Sequence, residues 1–122
     1  MPTEHKNQPL FARLGFSIAG LLHGLRSENS LKVHFIALGA VIAMLFYVRP
    51  DPLWWAIVLL ASALVITAEL INTALEHLVD HVHPAIHPTI KIVKDCAAAA
   101  VLVASLGALA IAVAFVMAVW GT

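Results

Sequence analysis

Residues 31–120 form three long apolar runs, broken only by Arg49-Pro50-Asp51-Pro52 and by a second loop that begins at His81. A run of about 20 apolar residues is what a helix needs to cross the hydrocarbon core of a bilayer. Only helices and closed barrels satisfy their backbone polar groups there, and nothing in these runs alternates as a barrel strand would. The composition agrees, at 61% hydrophobic and 11% charged, against roughly 25% charged for a soluble domain. The fold class read from this is an all-α membrane protein, a single domain over residues 1–122 with no internal repeat. Net charge is zero with histidines neutral, so no basic surface invites nucleic acid. The lone cysteine, Cys96, excludes an intrachain disulfide and a thiolate zinc cluster. Set among alanines, it reads as a small packing residue.

In chain order, Met1–Pro9 is a polar tail without the apolar centre of a signal peptide. Over 10–26, Leu10, Leu14, Ile18, Leu21 and Leu25 recur at helical spacing beside Arg13, Ser17, His23 and Arg26. That pattern is an N-terminal amphipathic helix, too polar to span and suited to the membrane interface. A polar break, Arg26 to Ser30, offers Ser27 or Asn29 as a cap for the next helix. The membrane segments are then 31–48, 53–80 and 89–120. Prolines disfavour helix at the residues before them and place the turns. Trp54 and Trp55 mark an interface at the start of the second segment, and the alanines and Gly107 of the third permit close helix approach.

The second segment carries the informative residues. With about 100° of turn per residue, Glu69, Asn72, Glu76 and Asp80 fall within roughly 80° of one another, with Thr73 at the edge. Leu70, Ile71, Leu75, Leu78 and Val79 occupy the other faces. Ionised groups facing lipid at mid-membrane cost several kcal/mol each, so this stripe faces a partner helix, a cation or a charged ligand. Basic residues in the flanks set the orientation. Lys6, Arg13, Arg26 and Lys32 precede or enter the first segment, and Lys91 and Lys94 follow the second. This places the N-terminus and second loop in the cytoplasm and the C-terminus outside. Glu28, Glu76, Asp80, Lys94 and Asp95 then gather at the cytoplasmic surface, with Glu69 and Asn72 one to two turns deeper.

Carboxylates at that boundary suit a hard divalent cation; magnesium takes oxygen ligands, often one or two carboxylates plus substrate phosphates. Phosphoryl transfer needs such an ion, a cationic group on the phosphates and a residue to orient or deprotonate the acceptor. Glu28 and Glu76 are candidates for the metal, Lys94 for a phosphate, and Glu69 for a proton arriving on a hydroxyl from the lipid side. The plainer account, in which the same groups form interhelical hydrogen bonds in an oligomer, is weakened by five acids and a lysine on one side. No GxxxxGK[ST] loop is present. His77 and His81, four apart, flank the stripe with no third ligand fixed by spacing, and read as solvated. A proton path or small transporter would use similar acids, but no ionisable residue lies between Leu53 and Ala68 to give it an exit.

The run Glu69-Leu-Ile-Asn72-Thr-Ala-Leu-Glu76-His-Leu-Val-Asp80, with His87, Lys94-Asp95 and Gly15, Ser17, Gly20 and Glu28 upstream, closely resembles the prokaryotic diacylglycerol kinase and undecaprenol kinase family. The resemblance covers nearly the whole chain. It implies a surface helix and three transmembrane helices per subunit, assembled as a homotrimer in the cytoplasmic (inner) membrane. It also implies active sites at subunit interfaces, ATP as co-substrate, Mg2+ as cofactor and a lipid alcohol as acceptor. By position, Glu69 matches the family's catalytic base, while Glu28 and Glu76 match its metal-holding carboxylates. Ser17, Asn72, His87, Lys94 and Asp95 match nucleotide contacts, and Asp80 a supporting position. Pro9 and Ala12 stand where basic residues are common in diacylglycerol kinases, with Arg13 beside them as a substitute. The Glu28-Asn29 to His34 stretch and Lys94-Asp95-Cys-Ala-Ala-Ala are nearer to the undecaprenol kinase branch. The acceptor is read as diacylglycerol, with undecaprenol as the alternative.

Overall fold

A computed structural model describes residues 7–121. The tail expected over Met1–Pro9 falls, for residues 1–6, outside the described residues. Four helices are described within residues 7–121: α1 Leu10–Ser27, α2 Asn29–Val48, α3 Pro52–Val82 and α4 Pro88–Trp120. The last three are long and apolar enough to cross a membrane, and no strand occurs among the described residues. Pro52 and Pro88 open α3 and α4; the missing N–H costs nothing at the first helical position and the fixed φ suits it.

The breaks between helices are short and local. Glu28 alone separates α1 from α2, with extended backbone (φ −115°, ψ 116°). Neither Ser27 nor Asn29 caps α2, contrary to the sequence expectation. Glu28 itself takes the N-cap position without a side-chain capping bond, and the Ser27 hydroxyl donates back to the His23 carbonyl at 2.8 Å. The second break turns on Arg49, the only described non-glycine residue in the left-handed region (φ 53°). Its N–H closes α2 on the Leu45 carbonyl at 2.9 Å. Arg49 and Asp51 (ψ 148°) both precede prolines and both avoid the right-handed helical region, as the ring sterics require.

The apolar core lies at the end of the bundle that carries the α2–α3 turn. Leu45, Val58 and Phe115 pack there, with Trp54 edge-on to Phe115 at 5.4 Å and Trp55 edge-on to Phe46 at 4.9 Å. The opposite end is held differently. α1 folds back so that Gly24 meets Leu31 and α3; a Cβ on Gly24 would stand 2.7 Å from Leu31 Cδ2 and 3.4 Å from Leu70 Cδ2. Leu31 is fully buried and has little room to yield. Gly24→Val is therefore expected to destabilise the fold by about 1–3 kcal/mol, the usual cost of overpacking. Thermal unfolding in detergent micelles checks this, and an unchanged midpoint would mean that α1 is not held at Gly24.

Much of the remaining apolar surface is uncovered. Leu60, Leu102, Val103 and Leu106 on the spans are more than half exposed, the reverse of a soluble helical bundle. A wide apolar groove of about 900 Å³ runs between α3 and α4, floored by Ala97, Ala100 and Ala104. Cys96 lines this groove and is exposed.

Candidate active site

The stripe on α3 is continuous along the helix but meets different neighbours at each level. Glu69, only 8% exposed, faces the start of α2. The Ser30 hydroxyl donates to its Oε2 at 3.3 Å, and His34 Nε2 lies 3.4 Å from Oε1. Thr73, one turn on, is buried as well. Its carbonyl is 2.9 Å from His77 Nδ1, and the His77 ring stacks edge-on against His23 of α1 at 5.6 Å.

Asn72 and Glu76 form the next pair. Asn72 Nδ2 donates to Glu76 Oε1 at 3.3 Å, while Asn72 Oδ1 is buried with no hydrogen-bond partner. A buried acceptor left unpaired costs about 1–3 kcal/mol, so it marks a place where a ligand completes the bonding. Glu28 sits half-buried at the α1–α2 junction, and no described residue pairs with its carboxylate.

The membrane-surface end is a separate cluster. Asp80 Oδ1 and Lys94 Nζ are 2.6 Å apart and tie the end of α3 to the start of α4. Lys91 and Asp95 form a second pair at 2.5 Å, one helical turn apart. The His87 imidazole caps α4, accepting from the Thr89 N–H at 3.1 Å, and packs edge-on against His83 at 5.5 Å. These residues surround a shallow pocket of about 220 Å³ under the α3–α4 loop. His87, which the family resemblance marks as a nucleotide contact, is thus engaged at a helix start. Lys94, expected to meet a phosphate, is held by Asp80. Such a half-exposed pair contributes about 1 kcal/mol or less and opens readily for an anion.

Ser17 lies elsewhere. Its hydroxyl donates to the Arg13 carbonyl at 3.1 Å, and it borders a cleft of about 420 Å³ between α1 and α3, with Gly20, Thr73 and His77. The α1 cleft and the loop pocket are distinct within one chain: Ser17 borders the first, and His87, Lys94 and Asp95 line the second. Spacing along α3 makes the same point. At 1.5 Å per residue, Glu69 and Glu76 stand about 10 Å apart along the axis, and Glu69 and Asp80 about 16 Å. Glu69 and Glu76 therefore meet different neighbours.

Whether these groups suit magnesium can be judged from their donors. Among the described residues, no three His, Cys, Asp or Glu side chains converge on one point, which excludes an all-protein cage within one chain. Magnesium, however, is commonly held by one or two carboxylates with phosphate oxygens completing the shell. Glu28, Glu76 and the orphaned Asn72 oxygen are hard oxygen donors of that type. The donor set fits. Among the described histidines, His77 and His83 lie against backbone carbonyls, and His23 packs edge-on against His77.

Ser30 and His34 were not singled out by sequence as neighbours of Glu69. Their spacing of four does put them on one face of α2, but that face has no meaning until α2 is docked on α3.

Comparison with known proteins places the chain in a family. Residues 15–116 match the prokaryotic diacylglycerol kinase family, a span that contains every site residue above. A diacylglycerol kinase of Synechocystis sp. is 35% identical over 100 residues, which cover 81% of this chain and 57% of that protein. An undecaprenol kinase of Bacillus subtilis is 33% identical over 102 residues, covering 82% of this chain and 83% of that protein. The chain thus spans little more than half of the first relative and most of the second. With a matching family over most of its length and relatives above 30% identity, the chain belongs to the prokaryotic diacylglycerol kinase family.

Proposed function

We propose that this protein is an integral membrane lipid kinase that transfers the γ-phosphate of ATP to the hydroxyl of a lipid alcohol. The observation that carries this reading is Glu69, a buried carboxylate on a membrane-length helix whose surface end holds Asp80, Lys94 and Asp95. A buried carboxylate on a membrane-length helix suits a hydroxyl that arrives within the bilayer.

In this reading Glu69 takes the hydroxyl proton while the lipid oxygen bonds to phosphorus and the bond to the ADP oxygen breaks. Lys94 leaves Asp80 to meet the phosphates, and His87 and Asp95 border the nucleotide from the loop. Glu28, Glu76 and Asn72 Oδ1 would hold Mg2+, which would supply charge neutralisation on the phosphates. Ser17 contacts the nucleotide from α1. The resemblance to the family supports a homotrimer as the active unit, with the nucleotide bound between neighbouring subunits. The alanine floor of the α3–α4 groove admits a neighbouring helix at short range. α1 lies in the interface through Phe11, Leu14 and Ile18, all exposed. The protein sits in the cytoplasmic membrane with its N-terminus inside and its C-terminus outside, following the basic flanks.

The acceptor is read as diacylglycerol, giving phosphatidic acid. Undecaprenol is the second reading, favoured by the Glu28-Asn29 to His34 stretch and by the fuller coverage of the B. subtilis undecaprenol kinase. Both are primary lipid alcohols and demand the same chemistry. Radiolabelled ATP offered to the protein in mixed micelles, with each lipid in parallel, separates them. Label in neither lipid, at any magnesium concentration, would end the kinase reading.

A further inference from the structure

The Glu69 carboxylate is gripped at both oxygens from one face of α2. The Ser30 hydroxyl reaches Oε2 at 3.3 Å and His34 Nε2 reaches Oε1 at 3.4 Å. An ionised carboxylate offers about four acceptor directions, two on each oxygen. The Ser30 hydroxyl takes one of them on Oε2, and the His34 ring stands beside Oε1, so the group is flanked at both oxygens. The free lone pairs then point away from α2. Both donors sit in the first two turns of α2, whose N-terminal N–H groups also favour a negative charge nearby. No other ionisable side chain among the described residues pairs with Glu69 or with His34. The grip is therefore specific to these three residues, and it joins α2 to α3 at the level of the proposed chemistry.

We propose that His34 and Ser30 are positioning residues for the phosphoryl transfer, aiming the Glu69 carboxylate at the acceptor hydroxyl, Ser30 through its hydrogen bond to Oε2 and His34 through the imidazole nitrogen held beside Oε1. The idea rests on Glu69 acting as the base. A base turned away from its hydroxyl loses rate even when substrate binding is intact, because proton transfer requires aligned atoms at hydrogen-bond range. The two donors contribute to turnover and leave ATP affinity alone.

The test separates hydrogen-bond donation from packing. His34→Leu keeps bulk and removes the donor, whereas His34→Gln keeps an N–H of comparable reach. Expected is a fall in kcat of about tenfold for H34L and for Ser30→Ala, with KM for ATP unchanged and most of the rate recovered in H34Q. Recovery by H34L and not by H34Q would show that His34 only fills space and would overturn the proposal. Equal loss in both variants would overturn it too, because donation alone would then be insufficient. The partners must also act through Glu69: in an E69Q background, H34L is expected to change the residual rate less than twofold. A further tenfold loss there would mean that His34 acts by another route. Full activity of E69Q itself would remove the base and the positioning role together, whereas an inactive E69Q beside a wild-type H34L would remove only the latter. Should H34L fail to assemble in micelles, S30A carries the same comparison, since loss of one hydroxyl leaves the packing in place; unchanged turnover in S30A would then overturn the proposal.

Discussion

Glu69→Gln is expected to lower phosphate transfer by about 10²- to 10⁴-fold, the range that a positioned acid–base group supplies. The amide has nearly the same shape as the carboxylate, so the side chain still fills its 8%-exposed site, and its oxygen still accepts a hydrogen bond from Ser30 or His34. Removing a buried charge does not in general destabilise a fold, because desolvation had been acting against it. The variant is therefore expected to assemble normally and to bind ATP. Transfer measured with radiolabelled ATP, together with the assembly state in detergent, checks both halves of the claim. Wild-type turnover in an intact E69Q protein would eliminate Glu69 as the base and leave its burial without a catalytic explanation.

Glu28→Gln is the second large effect and differs in kind. Glu28 has no partner within the described chain and stands at the one-residue break between α1 and α2. Losing its charge is expected to raise the magnesium concentration for half-maximal activity on the order of tenfold, about 1.4 kcal/mol of metal affinity. Turnover at saturating magnesium is expected to recover substantially. Glu76→Gln is expected to act in the same direction while keeping the contact from Asn72, because Oε1 survives as an acceptor. A magnesium titration of each variant decides the matter. An unchanged requirement in E28Q would take Glu28 out of the metal site. Taken with E69Q, the pair of titrations distinguishes a defect in chemistry, which saturating metal cannot repair, from a defect in metal binding, which it can.

The helices themselves were readable along the chain. The proline pairs and long apolar runs place α2, α3 and α4 within two residues of the bounds expected over 31–48, 53–80 and 89–120. The acidic stripe was equally readable, because angular position on a helix depends on residue spacing alone. Capping was not. Ser27 and Asn29 are good capping types, but the chain turns so sharply at Glu28 that the N-cap position passes to that residue. His87 shows the reverse case, a histidine whose local role at the head of α4 emerges only from its 3.1 Å contact with Thr89.

Spacing along a helix cannot supply the identity of the neighbour at each angle. Glu69 and Asp80 share a narrow sector of α3, yet one is buried against Ser30 and His34 and the other reaches Lys94. The sequence by itself determined that this chain makes membrane-length helices with carboxylates along one of them, because burial preference and helical period are local properties. Only the tertiary structure decided that α2 supplies the two donors on Glu69, that Asn72 keeps an unpaired oxygen, and that the surface contacts form a cluster apart from the α1 cleft. Those outcomes depend on how the helices dock, which is set by packing between residues distant in the chain, such as Gly24 against Leu31 and Leu70.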